Sequence, residues 1–129
     1  MKVGIRERKT DDKKPTRFYS DKQEKTVATN LAGHQTISSG STPFSKGDVL
    51  LEDFLIECKT KTSHSQSITV KKEWIEKNKS EALFMGKEYS VVTISFGPDE
   101  ENYYILDENL FKELVEYLNY KNKCNSLDK

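Results

Sequence analysis

The sequence predicts a small α/β domain with its elements in the order α-β-β-β-α-β-β-α. Residues 48–61, DVLLEDFLIECKTK, hold two apolar runs around Glu52-Asp53, and Tyr89 to Phe96 is β-branched and aromatic. Helical periodicities stand at both ends, in Val27, Ala28 and Leu31 and in Leu110, Phe111, Leu114, Val115 and Leu118. Residues 1–18 carry scattered charges, one proline and no periodicity, and read as a flexible basic arm. The first helix, about 20–32, opens on Ser20 with Gln23 three residues on, a capping-box pattern, and stops at Gly33. An extended piece from His34 to Ser38 leads into a loop of small residues, Ser39-Gly40-Ser41-Thr42-Pro43. The two runs at 48–61 form a β-hairpin with Val49, Leu51, Phe54 and Ile56 on one side and Leu50 and Leu55 on the other, as in strands covered on both faces. A polar connection and a short extended SITV precede a charged helix, about 71–86, with Trp74, Ile75, Ala82 and Met85 near one face. Tyr89 to Phe96, broken by Gly97-Pro98, pairs with Tyr103 to Leu106 as a second hairpin. The last helix, about 108–120, carries an apolar stripe that serves equally to close the core or to meet a partner, and residues 122–129 form a short tail. Residues 19–121 are thus the folded unit.

The 129 residues suffice for one domain, and two would leave neither half much of a core. Only 34% are hydrophobic and 33% are charged, against roughly 45–50% apolar in ordinary domains, so the core is expected to be short and central. No apolar run approaches the roughly 20 residues that span a bilayer, and Met1 to Lys14 lacks the apolar region of a signal peptide, which excludes membrane partners and export by that route. Cys58 and Cys124 give neither a disulfide framework nor a zinc pattern, so a reducing cytoplasm is the expected location. No nucleophile elbow accompanies Ser63, Ser65 and Ser67, which sets a serine hydrolase aside. The zero net charge hides an asymmetry: nine Lys/Arg against five Asp/Glu in Met1–Lys25, and four against eight in Phe96–Lys129. A basic arm of this kind is either solvated or in contact with nucleic acid.

The chemistry concentrates in the most apolar part of the chain. Glu57 and Lys59 are two apart on one strand and share a face. If Glu52-Asp53 is a two-residue turn, Asp48 falls directly opposite Glu57, with Cβ atoms about 4.5–5.5 Å apart. Two like charges there are costly unless a cation bridges them, and paired carboxylates suit Mg²⁺ or Mn²⁺. Lys59 can then meet a phosphate and offset the charge that develops on it. Glu24 lies on the buried seam of the first helix with Val27, Ala28 and Leu31. The plainer readings are a rim residue for Glu24, a strand-initiating acid for Asp48 and an exposed salt-bridge ladder for Glu57 and Lys59. Lys46, Lys61, Lys71 and Lys72, with Arg17 of the arm, are candidates for a phosphate track or for solvated surface.

Glu24, then Gly47-Asp48, then Glu57-Cys58-Lys59 resemble the PD-(D/E)-x-K nuclease superfamily, with Gly in place of the signature Pro. The order of helix Glu24, the Ser39-Gly40-Ser41 turn, the Asp48 strand and the ECK strand is similar to archaeal Holliday-junction resolvases and related small phage nucleases. The resemblance covers about residues 20–75, and more loosely 89–106. It implies a small mixed β-sheet flanked by helices, a restriction-endonuclease-like core over 19–121, metal-dependent hydrolysis of DNA phosphodiesters, and a homodimer. By the same resemblance Asp48, Glu57 and the Cys58 backbone carbonyl are metal ligands, Glu24 acts through the metal or its water, Lys59 is the catalytic lysine, and Ser39 or Ser41 is a catalytic serine that ordinary turn chemistry explains equally well.

The expected function is a Mg²⁺- or Mn²⁺-dependent endonuclease selective for branched DNA, most closely a Holliday-junction resolvase of phage type, placed in the host-cell cytoplasm if phage-encoded. The alternatives are a nicking, single-strand or restriction-like nuclease with the same site, and a non-catalytic nucleic-acid-binding module. A structural or regulatory protein with an incidental salt-bridge ladder is a third class.

Overall fold

The structure is a computed structural model that describes residues 16–36 and 48–127. Helix α1 (Thr16–Leu31) is followed by strands β1 (His34–Gln35), β2 (Asp48–Leu50) and β3 (Phe54–Thr60), helix α2 (Lys72–Phe84), strands β4 (Tyr89–Ser95) and β5 (Asn102–Ile105), and helix α3 (Glu108–Leu127). The strands form one mixed sheet in the order β1-β2-β3-β4-β5, antiparallel except for the parallel β3–β4 pair. The parallel step follows from the connection: α2 carries the chain back over the sheet, as a crossover between parallel strands requires.

Glu52 and Asp53 form the two-residue turn, with Asp48 opposite Glu57, Val49 opposite Ile56 and Leu50 opposite Leu55. The turn lacks the glycine that such loops favour. It is held instead by Leu51 N–H on Phe54 O (3.0 Å), by Tyr89 N–H on Asp53 O (2.8 Å), and by the Lys87 ammonium, which donates to Leu51 O (2.8 Å) and Glu52 O (2.9 Å).

Strand alternation divides the sheet. Val49, Ile56, Cys58 and Val91 point to one face, where Val27 and Ala28 of α1 complete the buried core and Leu51, Phe54, Leu106 and Leu110 surround it. Helix α2 covers the other face: Ile75 and Asn78 lie beside Val92 and Ile105, and Asn78 Nδ2 donates to Leu55 O (3.2 Å) and Val91 O (3.1 Å), tying the two parallel strands together. A parallel pair gains slightly less per residue than an antiparallel one, so this side-chain tie falls where it is most useful.

Several boundaries differ from the sequence expectation. Helix α1 begins at Thr16, so residues 16–18 belong to it rather than to an arm, and Ser20 lies a turn inside the helix instead of capping it. Its left-handed terminal residue is Ala32 (φ 58°), and Gly33 has a different use, since a Cβ there would come within 2.6 Å of Leu50 O. Strand β1 stops at Gln35. Helix α3 continues to Leu127, seven residues past its expected end and into the segment expected to be a tail. Its start is set by Asp107, whose Oδ1 accepts from Leu110 N–H (2.8 Å) in the manner of an N-cap, and Lys79 pairs with the same carboxylate at 3.3 Å. No helix among the described residues is long and apolar enough to cross a membrane.

Replacing Asn78 with Ala removes both donors from a buried position. Denaturant unfolding of Asn78→Ala is expected to show a loss of about 1–3 kcal/mol. A loss below about 0.5 kcal/mol would mean that the sheet's own ladder satisfies those carbonyls.

Candidate metal centre

Asp48 opens β2, and its backbone is clamped on the side of the preceding chain. Its N–H donates to Thr36 Oγ1 (3.1 Å), and its carbonyl accepts from Thr36 N–H (2.9 Å) and Thr36 Oγ1 (3.2 Å). The register then sets Asp48 across from Glu57, with both side chains on the face covered by α2. Lys59, two residues on, shares that face: its Nζ lies 3.1 Å from Glu57 Oε2 and 5.0 Å from the centroid of the Trp74 ring. From α2 comes Glu81, buried, with Lys77 3.6 Å away one turn earlier. One carboxylate oxygen each from Asp48, Glu57 and Glu81 lies within 4.8 Å of the others.

Carboxylates packed this closely out of water resist ionising together. Asp48 is 2% exposed, and its Oδ1 is buried without a hydrogen-bond partner. Burial first, then the charges of Glu57, Glu81 and Glu24, push its carboxyl from 3.8 to about 8. Burial also raises Glu81, and Glu57 adds to this against the opposing pull of Lys77. A buried oxygen with no donor, facing two further carboxylates, is the environment that an oxygen-liganded divalent cation satisfies. The donor set therefore fits Mg²⁺ or Mn²⁺, with Asp48, Glu57 and Glu81 as the residues that would hold it.

The structure thus brings together Asp48, Glu57 and Lys59. Glu24 is buried on α1, which packs against the opposite face, and it stands outside the group of oxygens within 4.8 Å of one another. Its Oε1 accepts from Gln35 Nε2 at 3.2 Å, and its charge is felt at Asp48 and at Cys58. The Cys58 side chain belongs to the apolar core, and burial, with Glu24 contributing next, pushes its thiol well up, which disqualifies it as a nucleophile. Its backbone carbonyl lies one residue beyond Glu57, where β3 has run past the first described residue of β2. Ser39, Ser41, Lys46 and the Arg17 side chain lie outside the described residues. Lys61, Lys71 and Lys72 are exposed, Lys72 in a solvated pair with Glu76 at 3.7 Å.

Glu81 and Trp74 are members of the site that sequence reasoning missed. A signal for Glu81 existed: Trp74, Asn78, Glu81, Ala82 and Met85 follow one helical stripe, and two polar residues interrupt it. Comparison with family models, with curated proteins and with solved structures gives no match.

Between its ordinary value of 3.8 and about 8, the Asp48 carboxyl keeps a proton in the folded chain that it has lost in the unfolded one. Its stabilising contribution is therefore full below the lower value and falls as pH rises through the upper one. In EDTA, the melting temperature of the wild type is expected to fall more steeply than that of Asp48→Asn between pH about 5 and about 8, with the variant melting higher at the top of the range. Parallel slopes for the two proteins would show that Asp48 is not the group responsible. Mn²⁺ held by these carboxylates would displace the same proton, so a stabilising effect of Mn²⁺ is expected to grow with pH over that interval and to be lost in Glu57→Gln.

Proposed function

We propose that this chain is a metal-dependent endonuclease that hydrolyses DNA phosphodiester bonds, with branched DNA as its substrate in the manner of the small Holliday-junction resolvases. The observation that carries the reading is the buried, unpartnered Oδ1 of Asp48 set against Glu57 and Glu81, with the Lys59 ammonium beside Glu57 on the same face. Asp48, Glu57 and Glu81 would hold a divalent cation there, which would supply Lewis-acid chemistry toward a phosphate and activate water.

The chain's own groups have distinct tasks in this reading. Lys59 is 33% exposed, held by Glu57 on one side and lying over Trp74 on the other, so its ammonium meets the phosphate and offsets the charge that builds on its oxygens. A lysine suits the task as a compact charge that makes contact without demanding a fixed fork geometry. Glu24 keeps Asp48 basic from behind the sheet, a positioning role exerted through the field it adds. Lys61 and Lys71, exposed on either side of the 62–70 connection that leads to α2, follow the substrate backbone, which carries charge but no sequence. Preference for a branch over a linear duplex rests on the resemblance of the helix-Glu, small-residue loop, Asp strand and ECK strand layout, and on the small size of the domain. The second reading, a general nuclease with the same site, uses the same residues and differs only in what the surrounding surface accepts.

The test is cleavage of a labelled four-way junction beside a linear duplex of matched sequence, in Mg²⁺, Mn²⁺ or EDTA. Metal-dependent cuts near the branch are expected. Asp48→Asn and Lys59→Ala are each expected to lower the rate at least 100-fold, the scale on which a single electrostatic or acid–base group acts, with junction binding retained. Equal cutting of every substrate would favour the general nuclease, and junction binding without cutting by the wild type in either metal would overturn the enzyme reading.

A further inference from the structure

We propose that the cavity between α1 and the β4–β5 loop is a binding site for a guanidinium group. The inference is independent of the nuclease reading, because the cavity opens on the face covered by α1 and shares no side chain with the metal centre.

The cavity holds about 200 Å³, below the roughly 300–1,000 Å³ of sites for drug-sized ligands, and so suits one small flat group with its stem. It lies where the parallel strands end, at Thr60 of β3 and Ser95 of β4, the end at which open α/β sheets commonly receive ligands. Helix α1 gives one wall through Tyr19, Gln23 and Thr26, and the loop of residues 97–100 gives the other. That loop is held in shape before any ligand arrives. Ser95 Oγ donates to Gly97 O (2.8 Å), Glu100 N–H donates to the same carbonyl (3.2 Å), and a Cβ on Gly97 would come within 2.8 Å of the His64 backbone. A site formed in advance loses little to ordering on binding.

The hydrogen-bond balance of the walls chooses the ligand. Gln23 is 7% exposed, and Lys59 O (2.9 Å) and Asn102 Oδ1 (3.0 Å) take both hydrogens of its amide. Its Oε1 is left buried with no donor among the described residues, a costly state that a ligand N–H relieves. Three hydroxyls have likewise spent their single hydrogens: Thr26 on Lys22 O (3.1 Å), Thr60 on Lys61 O (3.0 Å) and Ser95 on Gly97 O. What these four side chains still offer is lone pairs. The carboxylates of Asp99 and of Glu100, the latter also meeting His64 Nδ1, add acceptors and negative charge. The side-chain nitrogens that could answer them are the Asn102 amide and Lys22, whose Nζ already lies 2.7 Å from Asp99. That pair shows that the mouth accepts a cation, and with both members more than half exposed it yields readily to a better one. A guanidinium carries five donors and no acceptor, is positive, and is planar enough to stack on the ring of Tyr19. An ammonium brings three donors from a single point, and a phosphate or carboxylate would set acceptors against acceptors beside two acids.

The test is nitrogen–proton correlation NMR of the full chain, titrated with N-acetyl-arginine methylamide, with its neutral citrulline analogue, and with butylguanidine. The arginine compound is expected to shift the Gln23 side-chain amide and the Gly97 and Asn102 backbone signals, saturating at millimolar concentration, and the citrulline analogue to bind at least about tenfold more weakly. Asp99→Asn keeps a residue type that tolerates the left-handed conformation there (φ 62°), and it should weaken binding about threefold or more. Lys22→Met removes the competing cation and should tighten binding by about the same factor, a gain that misfolding cannot give. Tighter binding of the arginine compound than of butylguanidine assigns the cavity to an arginine side chain of a polypeptide, and the reverse order assigns it to a free guanidine. No shift of these signals in the wild type, equal binding of the citrulline analogue, or weaker binding by Lys22→Met would each overturn the proposal.

Discussion

A slip of one residue between β2 and β3 would turn Asp48 toward the face that α1 covers and strand Glu57 and Lys59 without it. The register is therefore fixed at both ends of the short pairing. At the turn, the Lys87 ammonium takes two carbonyls and Tyr89 N–H takes a third, so the chain entering β4 fastens the loop between β2 and β3. At the other end, Thr36 grips the backbone of Asp48 on both its N–H and its carbonyl. A three-residue strand has few ladder bonds of its own with which to resist sliding, and these outside ties are what hold the acid opposite its partner. The buried core of Val49 and Ile56 adds a further penalty to any slip, because it would move Val49 off the apolar face that Ile56 keeps.

Once the register is set, the charges do not balance. Lys59 neutralises Glu57 at 3.1 Å, while Lys77 stands 3.6 Å from Glu81 with most of its side chain in solvent, where an ion pair is worth little. Asp48 is left with three acids contributing to its field and no cation of its own. A chain selected for stability alone would place an asparagine or an apolar residue there. Retention of a carboxylate at the most buried polar position of β2 sacrifices folding free energy, and such sacrifices concentrate where a site needs charge it has not neutralised.

The hairpin was legible because two independent signals agreed: apolar alternation on each run, and two acids between them of which neither could be core. From these the opposition of Asp48 and Glu57 follows by counting. The place of Glu24 was half legible. Its spacing to Val27 and Ala28 puts it on the buried seam, where it is found, yet spacing within a helix says nothing of which face of a sheet the helix covers. Glu81 and Asn78 escaped because α2 is charged nearly all round, so two polar residues on its inner stripe look like its surface. The last turns of α3 escaped for a related reason: residues 119–126 hold Asn, Lys and Ser with little apolar periodicity, and a helix there is read only from the absence of a breaker.

The two faces of the sheet divide the labour that these residues impose. The face under α1 packs Val27, Val49 and Ile56, all but inaccessible to water, beside the buried Gln23, Glu24 and Thr93, and it supplies burial that a small domain needs. The face under α2 can then carry Asp48, Glu57, Lys59, Asn78 and Glu81, none of which adds to an apolar core. The same face also buries Leu55, Ala82 and Val92, so its carboxylates sit at the edge of apolar packing and largely out of water. Strand alternation sets the division residue by residue along β3: Ile56 and Cys58 go to the core, and Glu57 and Lys59 to the opposite face. The ECK triplet is the smallest unit of that division, and Cys58 stands between two charged neighbours because a strand must send its middle residue the other way.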